Sequence, residues 1–115
     1  MPFLFAYGAL LEPERQKILF GRETPPEPAT LLGWRKVLYA DGYFGVLPTP
    51  GAETTGGLLT VTDTELAAAD EWEDIPKLYR REETFVLIGS TCIACWVYVH
   101  QPTFPYTEIE RQTQK

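Results

Sequence analysis

The order of hydrophobic and polar residues along the chain predicts a series of short elements rather than long helices. Six runs rich in apolar, aromatic and β-branched residues predict strands, at residues 3–7, 31–39, 43–47, 56–62, 79–88 and 91–99. The last two runs predict a hairpin because only Gly89 and Ser90 separate them. A turn between the second and third runs is predicted at Asp41 and Gly42.

Proline and glycine mark the first connections between these runs. Residues 12–20 predict a short helix, since Pro13 suits the first helical position and Gly21 can close the far end. Residues 24–28 contain three prolines, and residues 48–55 follow the third predicted strand. Both of these stretches predict loops.

A second helix is predicted by its start signal. Thr62 is followed three residues later by Glu65, which is the spacing of a capping box. The helix then continues through a run of alanines to about Asp74 and must stop before Pro76.

The element count predicts an α+β fold. Six short strands with two helices favour a small mixed, mostly antiparallel β-barrel with two flanking short helices. With 115 residues the chain is long enough for one core but not for two. We expect one domain at residues 1–100 and a polar C-terminal tail at residues 101–115.

Charge and composition narrow the range of partners. The formal net charge is −6, and no basic run is longer than a pair such as Arg80-Arg81, which argues against nucleic acid or an anionic membrane as a partner. No apolar stretch approaches the roughly 20 residues of a membrane span. The start of the chain lacks the basic and apolar parts of a secretory signal. These features predict a cytoplasmic protein; they leave its oligomeric state open.

The cysteines and the histidine do not predict a redox or metal site. Cys92 and Cys95 fall inside a predicted strand rather than at a helix start, and His100 is the single histidine. We expect both thiols to be reduced and packed in the core. The same expectation holds for the strand aromatics, although they could also line a pocket: Trp34, Tyr39, Tyr43, Phe44 and Trp96.

One acidic residue is on the apolar side of the second helix. At 3.6 residues per turn, Glu73 shares a face with Leu66 and Ala69. Burial and the negative end of the helix dipole would both raise its pKa, as a general acid or base near neutral pH requires. The alternative is that Glu73 reaches solvent or pairs with Arg80 or Arg81, and its position in the sequence alone does not decide between the two.

The glycine loop, Tyr7-Gly8-Ala9-Leu10, joins the first strand to the first helix. Gly8 allows a sharp turn and a close approach of ligand to the main chain. The amides that follow precede a helix, where unpaired N–H groups favour an anion or a developing oxyanion. On this stretch alone, a plain strand-to-helix turn is the better explanation.

Several stretches together resemble the γ-glutamyl cyclotransferase-like (AIG2-like) family, and they span roughly residues 3–99. That family opens with a strand and a Tyr-Gly-Ser-Leu loop, and later carries an acidic helix end with a glutamate, a Tyr-x-Arg segment and a strand ending near Val-Tyr-Val. The matching stretches here are, in order, Tyr7-Gly8-Ala9-Leu10, Gly57-Leu58-Leu59-Thr60-Val61, Asp70-Glu71-Trp72-Glu73-Asp74, Tyr79-Arg80-Arg81 and Val97-Tyr98-Val99.

The resemblance implies a fold, a site and a reaction. It implies a small β-barrel, Glu73 as the catalytic residue, and backbone amides of Tyr7, Gly8, Ala9 and Leu10 that bind the glutamyl part of a small γ-glutamyl substrate. Tyr98 matches a strand tyrosine near the pocket. The reaction is a transferase- or lyase-type cyclisation in which the α-amino group attacks the γ-carbonyl and releases 5-oxoproline. It needs neither metal nor cofactor.

Two departures from the family pattern bear on the substrate. Ala9 stands where the family usually has Ser or Thr, and Asp74 stands where glycine is common. Two hypotheses therefore stay open: a cyclotransferase acting on a γ-glutamyl amine, peptide or conjugate, and a small-molecule binding protein that uses the same pocket without turnover. The distance between Glu73 and the glycine loop is the first test, because separation of the two would exclude the enzyme.

Overall fold

The computed structural model describes residues 1–39, 42, 44–73, 75, 79–100 and 106–108, the last three only as a strand. The strands are β1 (Phe3–Ala6), β2 (Glu27–Tyr39), β3 (Phe44–Thr60), β4 (Tyr79–Ile88), β5 (Thr91–His100) and β6 (Tyr106–Glu108). The helices are α1 (Pro13–Phe20) and α2 (Asp63–Trp72), and a turn of 3-10 helix lies at Ala9–Leu11.

Five of the strands close into a barrel. Their order is β3-β1-β5-β4-β2, and β2 pairs again with β3 to complete the ring. The pairing of β1 with β5 is parallel, with Leu4 opposite Trp96, and the other pairings are antiparallel. β6 extends the sheet beyond β2, with Tyr39 opposite Tyr106. The predicted mixed, mostly antiparallel barrel with two helices is confirmed.

The loop predicted at residues 48–55 is wrong, because β3 runs unbroken from Phe44 to Thr60. β1 pairs with β3 only from Gly57 onward, so the earlier part of β3 pairs with β2 alone among the described strands. Proline is tolerated on a strand whose outer edge is unpaired, which explains Pro48 opposite Trp34. Residues 49–52 are extra residues at a shift in register, and Gly51 there has a φ of 81°.

The loop predicted at residues 24–28 is also too long. β2 already begins at Glu27, and Pro28 lies opposite Gly57. The pairing of β2 with β4 starts only at Thr30, so Pro28 also has an outer edge on which a missing N–H costs nothing.

Both helices begin as the sequence predicts. α1 starts at Pro13 and ends at Gly21, which adopts the left-handed conformation with a φ of 76°. α2 has the predicted capping box: the Glu65 N–H donates to the Thr62 hydroxyl at 3.0 Å, and the Thr62 N–H donates to the Glu65 carboxylate at 2.9 Å. The Arg22 guanidinium donates two hydrogen bonds of 2.7 Å to the same carboxylate. These hydrogen bonds fix the start of α2, and Glu73 lies at the other end of that helix.

β1 separates two hydrophobic clusters, because alternate side chains of a strand point to opposite faces. Phe5 and Tyr7 belong to the cluster inside the barrel, to which all five barrel strands contribute. Leu4 and Ala6 belong to the cluster on the outer face. The outer cluster also contains the α2 residues Leu66 and Ala69 and the strand residues Leu59, Val61, Tyr79 and Tyr98. α2 is therefore held against the barrel beside β1.

The two cysteines are free and lie in different surroundings. Cys95 is buried in the barrel core as predicted, but Cys92 is exposed, so that part of the prediction is wrong. Three residues apart on a strand, the two side chains point to opposite faces. Of the strand aromatics, Trp34 and Tyr39 are buried as predicted and Trp96 is partly buried.

Several predictions fall on residues that the structure does not describe. These are Tyr43, Asp41 of the predicted turn, Asp74 and Pro76 after α2, and the tail apart from β6. The boundary between residues 100 and 101 stays a prediction. Within the described part of the chain, no helix has both the length and the apolar character needed to cross a membrane.

Candidate functional site

A cavity of about 480 Å³ opens where the chain leaves β1. It lies between the glycine loop, the C-terminal end of α2 and the strands β4 and β5. All six residues predicted for the site line it, namely Tyr7, Gly8, Ala9, Leu10, Glu73 and Tyr98. The other described lining residues are Phe5, Ala6, Leu11, Glu12, Gly42, Phe44, Trp72 and Tyr79.

The glycine loop lines this cavity and contains backbone N–H groups that its own turn does not use. Its 3-10 turn is closed by the N–H groups of Leu11 and Glu12, each 3.0 Å from a carbonyl of the loop. The N–H groups of Ala9 and Leu10 come before the first of these bonds, so the turn itself offers them no acceptor. A Cβ placed on Gly8 would meet nothing nearer than Phe44 Cδ2 at 4.0 Å. The protein therefore leaves open space beside the Gly8 main chain.

A buried glutamine holds the glycine loop in place. The Gln16 side chain is 1% exposed, and its amide nitrogen donates to the Leu10 carbonyl at 2.8 Å. Its amide oxygen accepts from the Thr24 N–H, also at 2.8 Å. Because a buried side-chain amide needs both kinds of partner, Gln16 fixes Leu10 relative to the segment after α1. Nothing in the sequence pattern distinguished it from the exposed residues of α1.

Glu73 follows the last residue of α2 and turns toward the cavity. Leu66 and Ala69, which share its helix face, are buried, and the Glu73 N–H still bonds to the Ala69 carbonyl at 2.9 Å. The Glu73 side chain is partly buried, and this burial raises its pKa to about 7. The helix phase predicted this placement.

The alternative partners proposed for Glu73 are engaged elsewhere. The Arg81 guanidinium forms an ion pair with Asp70 at 3.0 Å, and Arg80 forms one with Glu82. No ion pair between described residues includes Glu73. Its carboxylate is therefore available to a molecule in the cavity.

Three tyrosine hydroxyls at the cavity donate their protons to the protein. Tyr7 donates to the Tyr98 carbonyl at 2.5 Å, Tyr79 to the Phe44 carbonyl at 2.6 Å, and Tyr98 to the Asp70 carboxylate at 2.7 Å. Each phenol has one proton to give, so the hydroxyls of Tyr7 and Tyr98 can meet a ligand only as acceptors.

Tyr7 and Tyr98 stay protonated at ordinary pH. Burial raises the pKa of both phenols, and the negative charge of Glu73 raises both further. The cavity thus combines side-chain acceptors with the backbone donors of the glycine loop. That combination suits a small molecule that carries an ammonium group near a carbonyl or carboxylate. Within the described part of the chain, no cluster of three or more His, Cys, Asp or Glu side chains is arranged to bind a metal.

Aromatic rings form the outer part of the cavity. Phe44 and Trp72 are each 38% exposed and line it, so the expectation that Phe44 belongs to the core is wrong. The Lys36 ammonium lies 4.4 Å from the centre of the Phe44 ring, and the Arg15 guanidinium lies 5.3 Å from that of Trp72. These cations support the rings from outside, since neither side chain lines the cavity.

The chain is similar in sequence to a known protein family and to individual proteins. Residues 4–114 match the family model described as gamma-glutamyl cyclotransferase, AIG2-like. A protein of Methanocaldococcus jannaschii is named a gamma-glutamylcyclotransferase and putative RNase. It is 35% identical to this chain over 83 residues, which are 70% of this chain and 37% of that protein. AIG2-like protein C of Arabidopsis thaliana is 34% identical over 90 residues, 76% of this chain and 51% of its own.

A solved structure agrees in fold. The crystal structure of an AIG2-like protein from Mus musculus superposes with a TM-score of 0.73 at 23% identity, over 94% of this chain and 86% of that one. This likeness concerns the fold alone. The chain spans 37% and 51% of the two curated relatives' lengths. The match over residues 4–114 nevertheless includes every residue of the cavity, and the chain belongs to the gamma-glutamyl cyclotransferase, AIG2-like family.

Proposed function

We propose that this protein is a cyclotransferase that releases 5-oxoproline from a small γ-glutamyl compound, with Glu73 as the proton-transfer residue. One observation carries the proposal: a carboxylate with a pKa of about 7 shares a cavity with the glycine loop. A group that is half-ionised near neutral pH can both accept and return a proton.

The first step makes the amine nucleophilic. The α-ammonium of the substrate gives one proton to the Glu73 carboxylate. The free amine then attacks the γ-carbonyl carbon, a C–N bond forms, and the carbonyl electron pair moves onto oxygen. The amides of Ala9 and Leu10 supply donors for that oxyanion. Because Ala9 stands where the family usually has Ser or Thr, the side chain at this position has no hydroxyl to assist these amides.

The second step expels the leaving amine. The oxyanion restores the carbonyl as the bond between the γ-carbon and the leaving nitrogen breaks. The proton held by Glu73 passes to that nitrogen. The Glu73 carboxylate then takes the second proton from the attacking nitrogen and passes it to the departing amine, so the ring nitrogen becomes a neutral amide N–H, the amine leaves as an ammonium, and the carboxylate is regenerated. The products are 5-oxoproline and an amine or amino acid. Because the attack is intramolecular, holding the substrate in the cyclising conformation supplies much of the rate.

The tyrosines support this orientation of the substrate. The phenol oxygens of Tyr7 and Tyr98 offer acceptors, which suit the N–H groups of an α-ammonium. The loop amides suit the carboxylate or carbonyl of the same molecule. A small-molecule substrate, a cytoplasmic location and the absence of nucleic acid as a partner stay predictions.

The test compares Glu73→Gln with wild type on a panel of γ-glutamyl amines, amino acids and conjugates. We expect wild type to release 5-oxoproline, and the variant to lose at least about 100-fold in rate while ligand still binds by calorimetry. Glu71→Gln is the matched control, because Glu71 is exposed on the same last turn and does not line the cavity. Ligand binding without release by wild type would instead support the binding protein.

A further inference from the structure

We propose that Glu12 selects substrates by charge, favouring a γ-glutamyl compound whose leaving portion carries a cationic group, such as the γ-glutamyl derivative of a diamine. This inference rests on the proposed cyclotransferase function and assigns a specificity-determining residue to the same cavity.

The position of Glu12 is fixed by the glycine loop. Its N–H donates to the Ala9 carbonyl at 3.0 Å, and the next residue, Pro13, begins α1. Glu12 is exposed and also lines the cavity, as do Phe44 and Trp72. Exposed lining residues define the cavity mouth, which the leaving portion reaches when the glutamyl part occupies the interior.

The charge of the described cavity wall is entirely negative. Among its described lining residues, the only ionisable acids or bases of the Asp, Glu, Lys, Arg and His types are Glu12 and Glu73. Glu73 is assigned to the proton transfer, so Glu12 is the charge that a leaving portion meets at the mouth. An anionic leaving portion would be repelled there, and a cationic one attracted.

The Glu12 carboxylate has no structural role that would occupy it. It stands at the N-cap of α1 but makes no side-chain capping hydrogen bond. The described ion pairs do not include it. A negative charge near the start of α1 would stabilise the helix through its dipole, but Glu14 in the first turn already supplies that charge.

The nearby cations do not reverse this charge. Arg15 lies against Trp72, and Lys36 lies against Phe44, and neither cationic side chain lines the cavity. Burial lowers the pKa of Lys36, which weakens its positive charge at alkaline pH. The exposed side chains among the described lining residues are therefore two aromatic rings and one carboxylate, which suit an aliphatic chain that ends in an ammonium group.

The experiment uses three substrates with leaving portions of similar length: γ-glutamyl-1,4-diaminobutane, γ-glutamyl-pentylamine and γ-glutamyl-5-aminopentanoate. These are cationic, neutral and anionic, and 5-oxoproline release gives kcat/KM for each. We expect wild type to rank them in that order, with a cation-to-anion ratio of about 10, since attraction and repulsion at an exposed site each contribute a few-fold. The ratio should fall as salt is added.

Variants assign the preference to one residue. Glu12→Gln should bring the cation-to-anion ratio close to one, and Glu12→Lys should invert it. Glu14→Gln is the matched control, because it removes the same charge from the same helix start at an exposed residue that does not line the cavity, and it should keep the wild-type ratio.

The outcomes separate this inference from the proposed function. Release without charge ranking by wild type, an unchanged ratio in Glu12→Gln, or an equal effect of Glu14→Gln would overturn the role of Glu12 alone. No release from any of the three compounds or from the wider panel would overturn the cyclotransferase function, and the charge selection with it.

Discussion

The Tyr98 hydroxyl donates a 2.7 Å hydrogen bond to the carboxylate of Asp70, which precedes Glu73 by one helical turn. Asp70 also forms an ion pair with Arg81 at 3.0 Å, and the Arg81 guanidinium stacks on Trp96 at 4.4 Å. The last turn of α2 is thus bound to β4 and β5 by polar contacts. These contacts set where Glu73 stands relative to the barrel.

A double-mutant cycle should measure the contribution of the hydrogen bond between Tyr98 and Asp70 to stability. Tyr98→Phe and Asp70→Asn each remove or weaken the same charge-assisted bond, so their effects on the free energy of unfolding should not add. We expect a coupling energy of about 1–2 kcal/mol from urea denaturation of wild type, both single variants and the double variant. Additive losses would show that the bond does not hold the helix.

In the proposed cyclotransferase reaction, the pH dependence of the rate should follow the titration of Glu73. Its pKa of about 7 means that the carboxylate form, which accepts the first proton, is lost as the pH falls below that value. We therefore expect kcat/KM for 5-oxoproline release to fall about tenfold for each pH unit well below 7. An acid limb centred near pH 4.5, the ordinary value for a glutamate, would contradict the buried placement.

The stability of the fold should depend on pH with the opposite sign. Glu73 titrates near pH 4.5 when unfolded and near 7 when folded, so the folded state binds more protons between these values. Its contribution to stability is fully present below pH 4.5 and is lost as the pH rises through 7. Relative to Glu73→Gln, wild type should lose about 1–3 kcal/mol in urea denaturation between about pH 4.5 and 8. Parallel curves for the two proteins would contradict this.

Two glycines should respond differently to alanine. At Gly8 a Cβ has room against the protein but projects beside a cavity residue, so Gly8→Ala should weaken ligand binding about tenfold and change stability by less than about 0.5 kcal/mol. At Gly45 a Cβ would lie 2.5 Å from Tyr39 Cε2 and 2.7 Å from His100 Cβ. Gly45→Ala should therefore cost about 1–3 kcal/mol. Calorimetry and thermal denaturation of both variants distinguish the two effects.

The sequence predicted those parts of the site that depend on local periodicity. Helix phase alone turned Glu73 inward, and the capping signal at Thr62 located the helix start. Phe44 could not be assigned this way, because its exposure at the cavity depends on where the barrel closes around it. Gln16 was missed for a similar reason: its partners, Leu10 and Thr24, are brought together only by the turn after α1.

The local sequence pattern did not predict the length of β3 either. Prolines and glycines at residues 48–57 have the composition of a loop, and only the long partner strand β2 keeps them extended. A proline on the unpaired edge of a strand has the same sequence signature as a proline in a loop. Tertiary pairing decides between them.

The parallel contact between β1 and β5 has a consequence for the order in which the molecule assembles. Leu4 and Trp96 are neighbours across this seam, although almost the whole domain separates them along the chain. We expect such a distant contact to form late, after the β2–β3 and β4–β5 hairpins, because its loop-closure entropy is larger. The bond from Tyr7 to Tyr98 crosses the same seam. Because residues on both sides of this seam line the cavity, we expect the cavity to be complete only once β1 and β5 have paired.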